Sequence, residues 1–397
     1  MIKKKILDDI NFNNKKVIVR VDFNVPLKDG IINDDNRIIS ALPTIEYLLN
    51  SNAKIILMSH LGRVKTQEDL AKSSLEPVAK HLSDLLDQEV LFINEIHGSN
   101  LESAVANLKP REILLMENTR FADLNHQSES KNDPKLASYW ANLGDIFVFD
   151  AFGTAHRDNA STTGIASNIK QSCVGLLVQN ELEMLQKAID NPNHPLLVIL
   201  GGSKVSDKIA VIDNLLKVAD HILIGGAMAY TFLKAQGFRI GNSLVENDKI
   251  DLAKKYLEIC EGKIILPIDH IISKEFKDDI GINTIDENII DNYMGMDIGK
   301  QTIELFTKYI LQAKTIIWNG PMGVFEMTNF NKGTLEICQA IANTQDVLSI
   351  IGGGDSAAAA IQLGFKGKFS HISTGGGASL TLFEGKPLIA IDAIENK

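Results

Sequence analysis

Short apolar runs recur along the chain, and each ends in glycine or polar residues before a helical pattern begins. In the first half these runs occupy residues 16–24, 54–63, 112–120 and 145–153. In the second half they occupy residues 196–204, 221–229, 315–323, 347–356 and 369–379. Short continuous apolar runs predict strands buried on both faces, and helical patterns between them predict a doubly wound parallel sheet. The predicted fold class is therefore α/β.

The residues at the ends of these runs differ between the two halves of the chain. Charged side chains such as Asp22, His60 and Arg120 follow the first set of runs, whereas glycines follow the second. Because ligands bind outside the carboxyl ends of parallel strands, this difference predicts two domains with different ligands. An amphipathic pattern over 179–190, broken by Pro and Asn residues at 191–195, places the boundary near residues 170–195.

Composition narrows the classes of protein to consider. The chain has 397 residues, 45% of them hydrophobic, and a net charge of -10, which argues against a global basic surface for nucleic acid. Its three cysteines form no C-x-x-C pair, as is typical of proteins from a reducing compartment. No apolar run approaches ~18 residues, and the amino-terminal residues lack a signal-peptide pattern. We therefore expect a cytoplasmic protein without nucleic-acid or membrane partners.

The glycine-ended half carries the residue types of a phosphate site. The segments 352–356 (GGGDS) and 374–379 (TGGGAS) each follow a strand, and the helix after such a turn directs its N–H groups toward an anion. Lys204 and Lys208 are four residues apart, which predicts that they share one face at a helix start. Asp355 would repel a bare phosphate, so its carboxylate favours a site that also holds Mg²⁺. The sequence thus indicates a nucleotide–Mg²⁺ site, although no P-loop spelling occurs.

Two other functions remain open on these patterns. The segment 352–357 also satisfies the G-x-G-x-x-A spelling of a NAD-dependent dehydrogenase, but no acid ends the next strand to hold a ribose. A non-enzymatic two-domain binder of small molecules is the second alternative. Proteins of that kind are usually exported, and no export signal is present.

The charge-ended half could form a basic cleft in an otherwise acidic protein. The cationic or ionisable residues near its strand ends are Arg37, His60, Arg63, Arg120, His156 and Arg157. Arginine suits phosphate and carboxylate groups because its planar fork can bind two oxygens at once. Asp22 and Asn24 would face an uncharged polar part of the ligand, such as a hydroxyl. In the other half, Glu326 could accept hydrogen bonds from ribose hydroxyls.

Eight motifs occur in a fixed order: RVDFNVP, SHLGR, ENTRF, AHR, GGSKVSDK, WNGPMGVFE, GGGDS and STGGGAS. In this order, from about residue 15 to about residue 380, the sequence resembles the phosphoglycerate kinase family. The resemblance implies a monomeric, bilobal protein with a hinge between two Rossmann-like domains. Residues 1–172 would bind 3-phosphoglycerate, 173–379 would bind the Mg²⁺-nucleotide, and a segment of about 380–397 would pack back on the first domain. The implied reaction is reversible phosphoryl transfer from 1,3-bisphosphoglycerate to ADP, giving 3-phosphoglycerate and ATP.

The resemblance also implies roles for individual residues. The implied 3-phosphoglycerate ligands are Asp22, Asn24, Arg37, His60, Arg63, Arg120 and Arg157. The implied catalytic residues are Arg37, Lys204, Gly352 and Gly375. The implied nucleotide ligands are Lys208, Glu326, Gly353, Gly354, Asp355 and Ser356, with Asp355 also serving Mg²⁺. Ser356 replaces the threonine usual in the family, and Ser203 stands where alanine is common; the hydroxyl retained at Ser356 predicts little change.

Overall fold

The computed structural model describes residues 3–260 and 262–397 and divides into two compact units. The first unit runs to Glu183 and also includes Pro387–Lys397, and the second is Met184–Lys386. Each unit has its own central parallel sheet, so the α/β class expected from the apolar runs is confirmed.

The first unit is built on a six-stranded sheet in the order β5-β6-β4-β1-β7-β8, with every pairing parallel. A short antiparallel hairpin, β2 with β3, lies outside this sheet. The strands are β1 Lys16–Val21, β2 Leu27–Lys28, β3 Ile31–Ile32, β4 Lys54–Met58, β5 Val90–Ile93, β6 Ile113–Met116, β7 Ile146–Asp150 and β8 Ser172–Val174. Every residue of β6 and β7 is buried, as expected for strands covered by helices on both faces.

Helices fill the connections of the first unit. They are α1 Asn36–Asn50, α2 Gln67–Lys72, α3 Glu76–Leu86, α4 Ser99–Asn107, α5 Asp123–His126, α6 Pro134–Ala141, α7 Ile165–Asn168 and α8 Leu176–Asp190, with 3₁₀ turns at Leu7–Asp9, Thr119–Ala122 and Phe152–Thr154 and a π-helical turn at Ala160–Gly164. Local sequence explains several starts. For example, α6 begins with proline after Asp133, whose carboxylate accepts hydrogen bonds from the N–H groups of Lys135 and Leu136.

The second unit has a larger parallel sheet and a smaller antiparallel one. The six-stranded sheet has the order β11-β10-β9-β15-β16-β17, and the three-stranded sheet has the order β13-β12-β14. The strands are β9 Leu196–Leu200, β10 His221–Ile224, β11 Ile264–Ile265, β12 His270–Ser273, β13 Ile282–Asn283, β14 Met294–Ile298, β15 Thr315–Asn319, β16 Leu348–Ile351 and β17 His371–Ile372. The helices are α9 Ile209–Leu215, α10 Met228–Ala235, α11 Ile250–Ile259, α12 Lys300–Gln312, α13 Lys332–Asn343, α14 Gly354–Gln362 and α15 Gly376–Phe383, with 3₁₀ turns at Ser206–Lys208, Asn247–Lys249 and Thr328–Phe330.

The two ends of the described chain meet in the first unit. Lys4 forms an antiparallel bridge with Asn396, and the Lys5 ammonium pairs with the Glu395 carboxylate at 2.5 Å. The last helix, α16 (Ile389–Asp392), is tied in where the Ala390 N–H donates to the Ala155 carbonyl at 3.0 Å. Residues 387–397 therefore belong to the first unit, with a helical turn at Ile389–Asp392.

All nine apolar runs contain a strand, but each strand stops before the glycines or charges that end the run. The runs did not identify the edge strands β5, β8 and β11, the hairpin or the antiparallel sheet. The predicted helix at 179–190 begins earlier, at Leu176. No helix in residues 3–260 and 262–397 is both long enough and apolar enough to span a membrane.

Candidate functional site

A cavity of about 850 Å³ in the first unit, here called the first pocket, lies at the carboxyl ends of its central strands. Asn24 follows β1, His60 and Arg63 follow β4, Arg120 follows β6, and Arg157 follows β7. Because β6, β4, β1 and β7 are consecutive in the sheet, these five residues come to one edge and all line the pocket. The full lining is Asn24, His60, Gly62, Arg63, Val64, Lys65, Arg120, Asp123, Gln127, Ser130, Arg157, Asp158 and Asn159.

The arginines of the first pocket repel one another. Burial lowers the pKa of Arg120, and the nearby charges of Arg157 and Arg63 lower it further. The carboxylates of Asp123 and Glu129 act in the opposite direction but do not outweigh these effects. The guanidinium of Arg120 donates to the Gly62 carbonyl at 3.0 Å, which fixes its position but does not neutralise its charge. An anion bound among these groups would relieve their repulsion, so the pocket is electrostatically prepared for one.

Asp22 and Arg37 form an ion pair beside this pocket but are absent from its lining. Arg37 Nη1 lies 2.5 Å from Asp22 Oδ2, and Asp22 is buried whereas the Arg37 side chain is partly exposed. Burial alone would raise the pKa of Asp22, but His60, Arg37, Arg20 and the N–H of Asn24 together outweigh it and hold the pKa below its usual range. Asp22 is therefore an ionised group that orients Arg37.

Two asparagines hold the loop that carries His60 and Arg63. The buried Asn118 side chain accepts from the Leu61 N–H at 3.1 Å and donates to the Leu61 carbonyl at 2.7 Å. Asn24 Oδ1 accepts from the Gly62 N–H at 2.8 Å. Because these bonds fix the loop backbone, its side chains are positioned before any ligand binds.

A cavity of about 260 Å³ in the second unit, here called the second pocket, lies at the carboxyl ends of β9, β15, β16 and β17. These four strands are consecutive in the sheet, so their turns meet at one edge. The lining is Gly201, Gly202, Ser203, Lys204, Asp207, Lys208, Asn319, Gly320, Gly353, Gly354, Asp355, Ser356, Gly376, Gly377 and Leu380. Glycines thus form much of this surface, whereas they contribute little to the first pocket.

The N-termini of α14 and α15 lie against each other in the second pocket. A Cβ added to Gly376 would lie only 2.5 Å from the Gly354 backbone nitrogen, so the two turns can be this close only because residue 376 has no side chain. Gly353, the residue before α14, has φ of +96°, a conformation that glycine adopts without strain. The adjoining helix starts bring two sets of unpaired N–H groups to one surface, which suits an anion with several charges.

The structure corrects the prediction for the two lysines. Lys204 lies in the loop after β9, whereas Lys208 ends a 3₁₀ turn, so they do not share a helix face. Both nevertheless line the second pocket. The Lys208 ammonium donates to Asn319 Oδ1, and burial lowers the pKa of Lys208 against the opposing effect of nearby carboxylates, Asp355 included.

A third helix start near the second pocket, that of α9, follows N–H groups that are bonded to the Glu246 carboxylate. Glu246 accepts hydrogen bonds from the Ser206 N–H at 3.0 Å and from the Ser206 hydroxyl at 2.5 Å. Burial would raise the pKa of Glu246, but the hydrogen bonds from Ser206 and Val205 outweigh it and lower the pKa. The N–H groups ahead of α9 are thus already bonded, which leaves α14 and α15 as the open starts.

Some expected ligands of the second unit lie outside the pocket lining. Glu326 is exposed in the turn after β15, and neither Gly352 nor Gly375 lines the cavity. Ser356 does line it, but its buried hydroxyl donates to the Gly352 carbonyl at 2.7 Å and accepts from the Gly320 N–H at 3.0 Å. That hydroxyl therefore holds two glycine turns together.

The residues around Asp355 fit a magnesium ion that is shared with phosphate. In the described part of the chain, no cluster of three or more His, Cys, Asp or Glu side chains could hold a metal alone. Asp355 is exposed at the start of α14 and lines the second pocket together with Asp207. Mg²⁺ commonly takes one or two carboxylates and completes its shell with phosphate oxygens and water.

Sequence reasoning missed several residues that build the pockets. Asn319 ends β15 and is buried, and its Nδ2 has no hydrogen-bond partner among the described residues, so a donor is available beside Lys208. Its position at the carboxyl end of a strand was a usable signal. Asn118 and Glu246 gave no comparable signal, because their partners are distant in sequence.

Comparison with known proteins gives a consistent result. A family model described as "Phosphoglycerate kinase" matches residues 7–386. The phosphoglycerate kinase of Fusobacterium nucleatum is 61% identical, over 99% of this chain and 100% of that protein. The one from Enterococcus faecalis is 57% identical over the same shares. The solved structure of phosphoglycerate kinase from Coxiella burnetii superposes with a TM-score of 0.89 at 40% identity, covering 98% of each chain. That from Pyrococcus horikoshii gives 0.83 at 35% identity, covering 98% of this chain and 97% of its own.

Proposed function

The chain belongs to the phosphoglycerate kinase family, and from this premise we propose that each of its two pockets binds one of the two substrates. The reaction is reversible phosphoryl transfer between 1,3-bisphosphoglycerate and ADP, a step of glycolysis. The observation that carries the division is the contrast in construction: arginine side chains line the first pocket, and glycine turns with two open helix starts line the second. Family membership leaves no support for the dehydrogenase alternative.

The first pocket is proposed to bind 3-phosphoglycerate. Its Arg63, Arg120 and Arg157 would neutralise the ligand's phosphate, and Asn24 and Asp22 would contact the glycerate hydroxyl. Arg37, held by Asp22, would lie at the carboxylate end, where the phosphoryl group is transferred. The acceptor is a carboxylate that is already ionised at neutral pH, so the step needs positive charge and correct positioning and no general base.

The second pocket is proposed to bind the nucleotide phosphates. The N-termini of α14 and α15 would hold phosphate oxygens through backbone N–H groups, and Lys208 and Asn319 would donate from the side. Lys204 is more exposed and would approach the transferring group. A magnesium ion held by Asp355 would add positive charge to the phosphates when it is bound. Glu326, which is outside the cavity lining, is proposed to reach the ribose at the pocket's edge.

Transfer requires the two bound ligands to come into contact, because in-line displacement needs the attacking oxygen within bonding reach of phosphorus. We propose that α8 is one element of the hinge for this movement, since the boundary between the units falls within it. Small-angle scattering should show a smaller radius of gyration with both ligands than with neither. An unchanged radius would refute the movement.

The assignment of pockets is tested by calorimetry on an Arg120→Ala variant. Binding of 3-phosphoglycerate should weaken at least about tenfold, because a hydrogen-bonded charge is lost, while MgADP binding stays the same. Arg111→Ala, an exposed arginine of the same unit, is the matched control and should change neither. Weaker MgADP binding in Arg120→Ala with normal 3-phosphoglycerate binding would reverse the assignment.

The glycolytic role supports a cytoplasmic location, and family membership supports a monomer; both are part of this proposal. Cell fractionation followed by sedimentation of the purified protein tests them. Recovery in a membrane fraction, or a sedimenting mass of two chains, would contradict them.

A further inference from the structure

A fully buried arginine lies directly beneath the first pocket. Arg20 is 1% exposed and projects from β1, whose other residues after Lys16 are all apolar. Its guanidinium has three partners: Nε donates to Ser161 Oγ at 2.8 Å, Nη1 donates to the Val21 carbonyl, and Nη2 lies 3.2 Å from His60 Nδ1. Arg20 does not line the pocket, and His60 is the lining residue that its guanidinium contacts.

The contact with His60 determines which imidazole nitrogen carries the proton. An arginine has only donors, so Nδ1 of His60 must accept and therefore carries no hydrogen. Asp22 Oδ1 is the competing partner of the same nitrogen, but it is 3.9 Å away, which is too long for a hydrogen bond. The proton of the neutral ring is thus on Nε2, the nitrogen left for a ligand in the pocket that His60 lines.

The surroundings of His60 also keep it uncharged. Burial lowers the pKa of His60 to about 3, and the charges of Arg20, Arg120 and Arg157 add to this effect against the opposing charge of Asp22. Protonation of Nδ1 would in addition point an N–H at the Arg20 guanidinium. The first pocket therefore contains a neutral donor among its cations.

A second buried group holds Arg20 in place. Glu129 is 1% exposed and accepts from the Ser161 N–H at 2.9 Å and from the Ser161 hydroxyl at 2.5 Å. Ser161 in turn accepts from Arg20 Nε, so the three residues form a continuous chain from Glu129 to His60. Ser161 lies in the π-helical turn at Ala160–Gly164, a type of turn often found at functional sites.

We propose that Arg20 is a positioning residue, held by Ser161 and Glu129, that fixes His60 in the Nε2–H tautomer so that a neutral imidazole donates to the anionic ligand. This proposal rests on the assignment of 3-phosphoglycerate to the first pocket only for the identity of that ligand. The tautomer is a property of the free protein and is measured without any substrate.

The first experiment records ¹⁵N–¹H correlation spectra of the histidine rings in the ligand-free protein, with His60→Gln used to assign the His60 signals. We expect a pyridine-like shift for Nδ1 and a pyrrole-like shift for Nε2, unchanged over the pH range in which exposed histidines titrate. A pyrrole-like Nδ1, or titration of His60 with an ordinary pKa, would overturn the proposal whatever the protein's substrate.

The second experiment removes the donor. The double variant Arg20→Met/Glu129→Gln removes the buried cation together with the Glu129 carboxylate, so that Glu129 is not left as an unpaired charge. Without Arg20, Nδ1 of His60 can carry a hydrogen and donate it to Asp22. The Nδ1 signal should therefore move toward a pyrrole-like shift. The KM for 3-phosphoglycerate should rise about tenfold, with the KM for MgATP unchanged. Arg20→Lys keeps a cationic donor and should restore a pyridine-like Nδ1 and most of the affinity.

Ser161→Ala is the control for disturbance of the buried cluster. It removes the partner of Arg20 Nε but leaves the Nη2–Nδ1 contact, so the His60 tautomer should remain and KM should change less than in the double variant. A double variant that keeps the wild-type tautomer would refute the role of Arg20. Altered KM with an unaltered tautomer would likewise refute it and would point instead to simple loss of packing or charge.

Discussion

The two pockets provide positive charge in different ways. In the first pocket the charge resides on arginine side chains: asparagines hold the loop that carries Arg63, and the Gly62 carbonyl accepts from Arg120. In the second it resides largely on backbone N–H groups at two abutting helix starts, where glycines let the turns approach. A pocket of the first kind is disrupted by removing a side chain, whereas a pocket of the second kind is also disrupted by adding one.

Arg37→Ala removes the arginine beside the first pocket, and the largest effect is expected here. If Arg37 stabilises the transferring phosphoryl group as proposed, its loss should lower kcat by at least about 10³, with MgATP affinity nearly unchanged. Steady-state kinetics measure both values, and circular dichroism verifies folding. A loss of tenfold or less, similar to that of the exposed control Arg111→Ala, would remove Arg37 from the catalytic group.

Lys208→Ala tests a partly buried cation that adds a side-chain charge to the backbone pocket. MgADP binding should weaken about 10- to 100-fold, because a charged hydrogen bond is lost, while 3-phosphoglycerate binding is unaffected. Lys217 is an exposed lysine beyond α9 and provides the matched control variant Lys217→Ala. Calorimetry that showed the larger loss for 3-phosphoglycerate would contradict the division between the pockets.

Alanine variants at two neighbouring glycines, Gly353 and Gly354, distinguish an effect on folding stability from an effect on nucleotide binding. A Cβ at Gly353 would lie 2.8 Å from Asn319 Nδ2 in a left-handed conformation, whereas a Cβ at Gly354 meets no atom within 4 Å. Gly353→Ala should destabilise the fold by about 1–3 kcal/mol, lowering Tm by roughly 3–10 °C.

Gly354→Ala should leave Tm unchanged but weaken MgADP binding, because its methyl group occupies space in the lining. Thermal unfolding and calorimetry on both variants give the comparison. Equal Tm values would show that the strained turn does not contribute to stability.

Glu246→Gln should have the smallest effect, with a defined pH dependence. Because the pKa of Glu246 is lowered in the folded state, its ionised form stabilises the loop near neutral pH, and this contribution is lost as pH falls below the ordinary value of 4.5. The Tm of the wild-type protein should therefore be higher than that of the variant at pH 7, and this difference in Tm should vanish at strongly acid pH. Glu258→Gln, an exposed change on α11, is the control and should leave Tm unchanged.

The sequence predicted the parallel sheets well because their strands are buried on both faces and read as apolar runs. The antiparallel sheet was missed because its strands do not read as continuous apolar runs: β14 contains Gly295 and Asp297, and Ile282 of β13 is exposed. The start of α8 was misplaced because Thr44 and Asp150, both distant in sequence, supply acceptors for its first N–H groups. Local pattern thus identified elements that burial defines, and it failed where distant partners set the ends.

The residues that line the pockets were largely predictable, but those that position them were not. Arg120 and Lys208 follow apolar runs in the sequence, and a charged residue in that position indicates a ligand site. Arg20 and Glu129 have partners about 30 to 140 residues away in sequence, so only the fold brings their charges together. The prediction for Lys204 and Lys208 failed for a different reason. It assumed α-helical spacing, but the turn between the two lysines is not α-helical.

The pairing of chain ends in the first unit affects the order in which the protein can be completed during synthesis. Residues 387–397 belong to that unit but leave the ribosome only after the whole of the second unit. A nascent chain that already contains a finished second unit must therefore still carry an incomplete first one. The Lys4–Asn396 bridge can form only after residue 396 has been synthesised, so assembly of the first unit depends on translation reaching those residues.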